Sequence, residues 1–311
     1  MQKALQNYTL LLASFLTIVV FASYGNKKED QSTTAIAATT ESAKIPQVIR
    51  AMDLDKKFSL AGEQVPMENP DVYERMDREL SVNTYWHSTT LLNIKNTYKY
   101  FPIIEKILAE EGVPDDFKYL AIAESNLRNA TSSAGAKGLW QFMKETAVYY
   151  GLEVNSEVDE RYHLEKSTHA AAKYIKNYYK QFGSWTLSAA AYNMGGPRLK
   201  KEMDVQRGER YYDLNLNDET DRYVFRVIAI KEVIGNPERF GFYLDNDEGY
   251  EPMTDFSTVE VDGPIPNLGD FARKNGISYR ALKVYNPWLR STSLTNAAHK
   301  TYVLKIPNKK F

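Results

Sequence analysis

Cysteine is absent from this sequence, and its absence excludes several kinds of protein. A disulfide framework, thiol catalysis, a thiolate zinc site and a lipid anchor attached through cysteine all require that residue. Histidine is scarce, and its four copies share no spacing typical of a metal site: His87, His163, His169 and His299. We therefore expect no metal ion, no other cofactor and no anchoring as a lipoprotein.

An excess of charge of one sign is also lacking. The 311 residues include 39 basic and 40 acidic side chains, which leave a formal net charge of -1. Nucleic acid is not an expected partner, because binding to a polyanion usually requires a basic surface. The hydrophobic and aromatic fractions, 43% and 13%, are sufficient for one or two packed cores.

The amino-terminal segment has the pattern of an export signal. Residues 9–22 form an uncharged apolar run that follows Lys3. We expect residues 1–25 to be a signal peptide, or else an uncleaved signal anchor, although the run is shorter than the roughly 20 apolar residues of a spanning helix. Residues 26–45 are polar and rich in Ser, Thr and Ala, which predicts a disordered linker.

Helical periodicity dominates residues 46–242. Pro102 is expected to open one helix and Gly112 to close it. Ser167 and Ser184 have the residue type and position of helix N-caps. Together these signals predict further helices at residues 139–150, 167–182 and 184–192, and a last one that carries Tyr223.

One carboxylate interrupts an apolar helix face. In the helix that Pro114 opens, four residues share a face at spacings i, i+3, i+4 and i+7: Phe117, Leu120, Ala121 and Glu124. Burial would raise the pKa of Glu124 and hold the proton that a general acid donates. The alternative is that Glu124 ends its helix near the surface or pairs with a lysine or arginine.

Two further segments have the composition of a cleft wall. Residues 131–142 are mostly small and run into a predicted helix start, so their backbone can approach a ligand closely. Tyr192 can pack on a sugar face, and Asn193 can hydrogen-bond an acetamido group. The alternatives are a plain turn between helices, a core tyrosine and an asparagine that ends its helix.

The chain changes character near its carboxyl end. Val259 and Val261 alternate with polar residues, as do the apolar residues of 302–306, while residues 268–274 and 279–285 have helical patterns. A small β-α-α-β module over residues 256–311 is expected. Such a short segment has a marginal core, which favours binding over catalysis.

Four motifs follow one another along the chain: Glu124-Ser125, Gly138-Leu139-Trp140-Gln141-Phe142, Ala191-Tyr192-Asn193, and Glu219-Thr220 with Tyr223-Val224. In this order they resemble the motifs of soluble-lytic-transglycosylase-type catalytic domains. Four further segments, Asp159-Glu160-Arg161, Ser167-Thr168, residues 170–174 and residues 182–185, resemble the subgroup around membrane-bound lytic murein transglycosylase D. The resemblance implies a mainly α protein with a lysozyme-like helical domain at residues 46–245, whose catalytic motifs span residues 113–235.

The carboxyl-terminal module resembles a LysM domain. The resemblance rests on Asn286-Pro287-Trp288-Leu289 and Leu304-Lys305-Ile306-Pro307. The usual Gly-Asp-Thr-Leu is replaced here by residues 263–268, so a purely structural module is the alternative to glycan binding.

The family resemblance implies a lyase that cleaves the β-1,4 bond between N-acetylmuramic acid and N-acetylglucosamine in peptidoglycan and leaves a 1,6-anhydro end. Glu124 would act as general acid and then as base, assisted by the substrate's acetamido group. The family's setting implies the periplasm or envelope of a Gram-negative bacterium. The alternatives are a hydrolase related to goose-type lysozyme and a non-catalytic peptidoglycan-binding protein.

By the same resemblance, seven residues bind the substrate or shape its loop: Ser125, Ser133, Gly138, Gln141, Tyr192, Asn193 and Tyr223. The expected partners are peptidoglycan glycan strands, with membrane contact only through the amino-terminal segment, and the expected state is a monomer. Asp159 and Glu160 are interpreted as electrostatic anchors of their loop. The tyrosine-rich helix around Tyr174, Tyr178 and Tyr179 is expected to present a core stripe, with a glycan platform as the alternative.

Overall fold

The computed structural model of the chain describes residues 49–245 and 247–309, which belong to one unit from residue 50 onward. The predicted signal segment and linker, residues 1–45, lie outside the described residues. Among the described helices, none combines the length and apolar character that a membrane crossing requires.

Most of the described chain is helical, as expected. The helices are α1 (Pro70–Tyr85), α2 (His87–Glu110), α3 (Lys118–Ser125), α4 (Lys144–Tyr149), α5 (Leu164–Phe182), α6 (Trp185–Met194), α7 (Gly196–Gln206), α8 (Asp218–Gly235), α9 (Leu268–Lys274) and α10 (Tyr279–Tyr285). The strands are β1 (Ser59–Leu60), β2 (Glu63–Gln64), β3 (Phe256–Val261) and β4 (Tyr302–Pro307), paired as two antiparallel two-stranded sheets, β1 with β2 and β3 with β4.

Helix α8 is the centre of the helical domain. It packs against α1, α2, α3 and α6. Its successive residues Val224 and Phe225, and then Val227 and Ile228, are all fully buried. Such extensive burial places α8 in the middle of the core, and its first turns reach the end of α3.

The predicted β-α-α-β module is confirmed. Strands β3 and β4 pair from Phe256 opposite Pro307 to Val261 opposite Tyr302, and α9 and α10 lie between them in sequence at the expected residues.

The small core of this module is completed by the helical domain. Val158 and Tyr162 are buried among Leu268, Leu282 and Leu304. Backbone hydrogen bonds join the same two parts, from Asp159 N to Trp288 O at 2.9 Å and from Arg290 N to Glu157 O at 2.6 Å. Because a module of this size has a marginal core of its own, these contacts hold it firmly against the segment before α5.

Proline 102 does not open a helix. It lies inside α2, which begins 15 residues earlier at His87. An interior proline removes one backbone hydrogen bond and costs about 3 kcal/mol. Burial of Ile94, Phe101 and Ile104 along the same helix offsets that loss.

Two other helix boundaries were predicted wrongly. Helix α5 starts one turn before Ser167, whose hydroxyl donates to the Leu164 carbonyl at 3.3 Å instead of capping the helix. The predicted helix at 139–150 is only α4, because Lys137 and Phe142 pair their backbones across a tight turn. Ser184 is a true N-cap and accepts from Leu187 N at 3.3 Å.

Candidate active site

Glu124 occupies the last turn of α3 and faces a cleft of about 520 Å³. Asn126 and Leu127 both have left-handed backbone conformations, with φ of 52°, and end α3 directly after Ser125. Six of the eight predicted site residues line this cleft: Glu124, Ser133, Gln141, Tyr192, Asn193 and Tyr223. Residues from four separate segments of the chain therefore meet around one carboxyl group.

The environment of Glu124 favours its protonated form. Burial raises the pKa of Glu124 to about 7, against the hydrogen bond from Tyr223, which lowers it. The neighbouring charge of Glu219 raises the pKa further, and that of Arg226 lowers it. At neutral pH roughly half of such a group carries its proton, so the same carboxyl can donate a proton and accept one.

Tyr223 fixes the position of the Glu124 carboxyl. Its hydroxyl donates to Glu124 Oε1 at 2.5 Å, and its side chain is buried in α8. Burial and the nearby Glu124 charge raise the pKa of Tyr223 well above its ordinary value. The phenol therefore stays protonated and acts as a hydrogen-bond donor at every physiological pH.

Tyr192 ties the cleft to the loop at residues 131–142. Its hydroxyl donates to the Trp140 carbonyl at 2.7 Å. Burial raises the pKa of Tyr192 well above its ordinary value. In the same loop Gln141 adopts a left-handed backbone with φ of 48°, and its side-chain amide donates to the Gly138 carbonyl at 2.7 Å.

Two predicted site residues, Ser125 and Gly138, lie behind the cleft and not on its wall. The Ser125 hydroxyl is buried within hydrogen-bonding distance of the carbonyls of Ala121 and Leu139, at 3.0 and 2.9 Å. Gly138 has φ of 83°, and a Cβ there would lie 1.9 Å from the Arg161 carbonyl oxygen. Both residues hold the loop in place without reaching a ligand in the cleft.

Arg161 anchors the loop at residues 131–142 from a buried position. Its guanidinium forms a bidentate pair with Asp159, at 2.9 and 2.8 Å. It also donates to the Phe142 carbonyl at 3.2 Å. Since Asp159 itself receives the ion pair, it does not serve as a second carboxylate in the cleft.

Two charged residues of the cleft were missed by sequence reasoning as site residues, Glu219 and Arg226. With Tyr223 they follow the spacing i, i+4, i+7 and share one face of α8. That periodicity around a motif tyrosine was the signal available in the sequence. Glu219 accepts from the Asn193 amide at 3.4 Å, and the Asn193 carbonyl oxygen accepts from Thr220 at 2.7 Å.

Comparison with known proteins identifies the family. The family described as "Transglycosylase SLT domain" matches residues 101–215, and the one described as "Soluble lytic transglycosylase C-terminal LysM-like domain" matches residues 257–310. Membrane-bound lytic murein transglycosylase D of Escherichia coli (strain K12) is 30% identical over 320 residues, which cover 96% of this chain and 68% of that protein. The chain belongs to the SLT family of lytic transglycosylases.

Two solved structures of lytic transglycosylases resemble the chain at lower sequence identity. The 70 kDa soluble lytic transglycosylase of Escherichia coli is 18% identical with a TM-score of 0.40, over 57% of this chain and 33% of its own. An inactive variant of the lytic transglycosylase Slt of Pseudomonas aeruginosa is 23% identical with a TM-score of 0.38, over 49% of this chain and 26% of its own.

Membership of the SLT family confirms the resemblance drawn from the motifs and the expected enzyme class. The LysM-like character of the carboxyl-terminal module is confirmed by its own family match. Within the described part of the chain, His, Asp and Glu side chains nowhere gather in a group of three that could hold a metal ion.

Proposed function

We propose that this lytic transglycosylase cleaves the β-1,4 bond between N-acetylmuramic acid and N-acetylglucosamine in peptidoglycan and closes a 1,6-anhydro ring on the muramic acid. Glu124 acts first as general acid and then as general base. The observation that carries the proposal is the pKa of Glu124, raised to about 7 by burial in a cleft where Tyr223 holds the carboxyl.

In the first step the Glu124 carboxyl gives its proton to the bridging oxygen as the bond from that oxygen to C1 breaks. The acetamido oxygen of the muramic acid bonds to C1 and takes up the developing positive charge. In the second step the Glu124 carboxylate removes the proton of the C6 hydroxyl, whose oxygen displaces the acetamido oxygen from C1. The residue ends protonated, as it began, and no water is consumed.

Of the remaining residues, some face the substrate directly and others hold the loop at residues 131–142 in place. Tyr192, Asn193, Gln141, Ser133 and Tyr223 face the space that the two sugars would fill. The Tyr192 ring offers an apolar face to a pyranose, while the amides of Asn193 and Gln141 suit its acetamido and hydroxyl groups.

Support for this arrangement comes from the loop at residues 131–142. Ser125 and Gly138 set its conformation, and Arg161 fixes it from behind. Such preorganisation holds contact groups at fixed positions before the substrate arrives.

A hydrolase would need a second carboxylate in the cleft, and Glu219 is the candidate for that role. Most glycosidases use two carboxylates, and Glu219 is the second one that lines this cleft. Its hydrogen bond from Asn193 gives it a role in binding, whereas a hydrolase related to goose-type lysozyme would need it to activate water.

We further propose that residues 46–245 are the catalytic domain, residues 256–311 a LysM-like module, and residues 1–25 an export signal or anchor that delivers the enzyme to the cell envelope. The printed name of its Escherichia coli relative describes a membrane-bound enzyme.

The test is mass spectrometry of the muropeptides released from purified sacculi by the full chain and by Glu124→Gln. Anhydro-muramyl ends, lighter than reducing ends by one water and absent with the variant, support the proposal. Reducing ends that disappear with Glu219→Gln would establish a hydrolase instead. Binding to sacculi without release by the unaltered chain would establish a non-catalytic wall-binding protein.

A further inference from the structure

Four tyrosine rings form a row that starts beside the catalytic cleft. The ring centroids of Tyr192 and Tyr174 are 5.1 Å apart, those of Tyr174 and Tyr150 are 5.0 Å apart, and those of Tyr150 and Tyr149 are 5.1 Å apart. The nearly constant step means that each ring contacts the next along the whole row.

The row runs from the interior of the site to open solvent. Tyr192 is 9% exposed, and Tyr149 is 80% exposed. Tyr174 lies between them and lines the same cleft as Glu124. Only the inner part of the row is therefore buried, and its outer end is a free aromatic surface. Of the three tyrosines expected to form a core stripe, Tyr178 is buried, Tyr174 lines the cleft and Tyr179 is exposed, so the expectation holds for Tyr178 alone.

Helix α4 makes this outer end continuous with the cleft wall. Met143 and Thr146 line the cleft. Tyr150 directly follows α4, four residues after Thr146. The Asn177 amide donates to the Tyr150 hydroxyl at 2.9 Å and orients its ring.

We propose that Tyr149 and Tyr150 form an outer sugar-binding subsite for the glycan strand that enters the Glu124 cleft. The proposal rests on the proposed function, because the occupant is a further pyranose of the same β-1,4-linked amino-sugar chain. A pyranose presents an apolar face of C–H groups that packs against an aromatic ring. Tyr149 and Tyr150 meet edge to face at an interplanar angle of 79°, so the exposed ring of Tyr149 remains available to a pyranose.

The chemistry of the wall favours a glycan over a charged ligand. The four tyrosines, Met143 and Thr146 are uncharged. Tyr149 exposes most of a large ring, and such rings contribute binding area at a small cost in side-chain entropy because only two torsions are fixed.

The test measures binding of β-1,4-linked N-acetylglucosamine oligomers to the full chain carrying Glu124→Gln, so that no probe is cleaved. Calorimetry compares a trisaccharide, which fits the inner cleft, with a hexasaccharide, which extends beyond it. Adding Tyr149→Ala is expected to weaken hexasaccharide binding by about fivefold and to leave trisaccharide binding unchanged. Tyr149→Phe keeps the ring and is expected to bind both oligomers as before.

Tyr243→Ala is the matched control, because Tyr243 is 75% exposed and does not line the cleft. Equal affinity for the hexasaccharide with and without the Tyr149 ring would overturn the subsite and leave the proposed function standing, since product mass reads that function separately. Equal loss of affinity for the trisaccharide and the hexasaccharide on adding Tyr149→Ala would also overturn the subsite. Failure of the Glu124→Gln chain to bind either oligomer would contradict both proposals.

Discussion

The hydroxyl of Tyr223 lies 2.5 Å from Oε1 of Glu124 and joins the second turn of α8 to the last turn of α3. The hydrogen bond lowers the pKa of Glu124, while burial raises it more strongly. The balance leaves the carboxyl close to neutrality, where a single group can both give and take a proton. Substitutions that remove one contribution at a time should therefore shift the pKa of Glu124 in predictable directions.

Removing the Tyr223 hydroxyl should raise the pKa of Glu124. Tyr223→Phe deletes the donor but keeps the ring in the core, so we expect the basic limb of kcat/KM against pH to move to higher pH. Loss of orientation should lower kcat by about tenfold. Tyr179→Phe, on a ring stacked with Trp185, is the control. An unchanged limb would show that this hydrogen bond does not control the acid.

The two charges on the same helix face should move that limb in opposite directions. Arg226→Gln removes a cation that lowers the pKa of Glu124, so the limb is expected to shift to higher pH. Glu219→Gln removes an anion that raises it, so the limb is expected to shift to lower pH. The comparison uses pH profiles of wall-lytic activity. Shifts of the same sign in both variants would contradict the electrostatic account.

Glu124→Gln should stabilise the fold at alkaline pH. Between the ordinary pKa of 4.5 and the folded value of about 7, the native state binds more protons than the unfolded state, so stability falls as pH rises. Glutamine has no charge to bury and keeps the oxygen that accepts from Tyr223. The free energy of unfolding of Glu124→Gln relative to the unaltered chain should show no gain near pH 4 and a gain of about 3 kcal/mol at pH 8.

Denaturant unfolding of both proteins across this pH range measures the difference. Glu111→Gln is the control with the opposite expected trend. The Lys176 hydrogen bond lowers the pKa of Glu111, so removing this carboxylate should lose stability as pH rises. A constant difference between Glu124→Gln and the unaltered chain at all pH values would contradict the raised pKa.

Gly138 should tolerate no side chain. Gly138→Ala places a Cβ 1.9 Å from the Arg161 carbonyl oxygen in a left-handed conformation, and we expect a loss of about 3 kcal/mol or more. Gly135→Ala is matched to it, with φ of 86° and nothing within 4 Å of the added atom. Backbone strain alone should then cost about 1 kcal/mol. Thermal unfolding that ranks the two equally would contradict the close approach.

Local patterns predicted the carboxyl-terminal module and singled out Glu124. The helices Leu268–Lys274 and Tyr279–Tyr285 were placed at their observed bounds, because their caps and apolar spacing agree. Glu124 was recognisable because a carboxylate on an apolar helix face is unusual in any context. In each of these cases the deciding interaction lies within a few residues in sequence.

Other features depend on contacts that are distant in sequence. Pro102 is a helix breaker by propensity, yet packing of α2 carries the helix through it. The left-handed backbone of Gln141 follows from a turn closed by Lys137 and Phe142, not from residue type. The spacing of Arg226 from Tyr223 indicates a shared helix face, but only the fold shows how much of that face lines the cleft.

Digestion of purified sacculi in water enriched in the heavy oxygen isotope tests the central claim most directly. If Glu124 removes the proton of the C6 hydroxyl and the C6 oxygen, not water, attacks C1, the new muramyl ends carry none of the heavy isotope and have the anhydro mass. Incorporation of one heavy oxygen at each new end would show that water attacks C1 and would contradict the account.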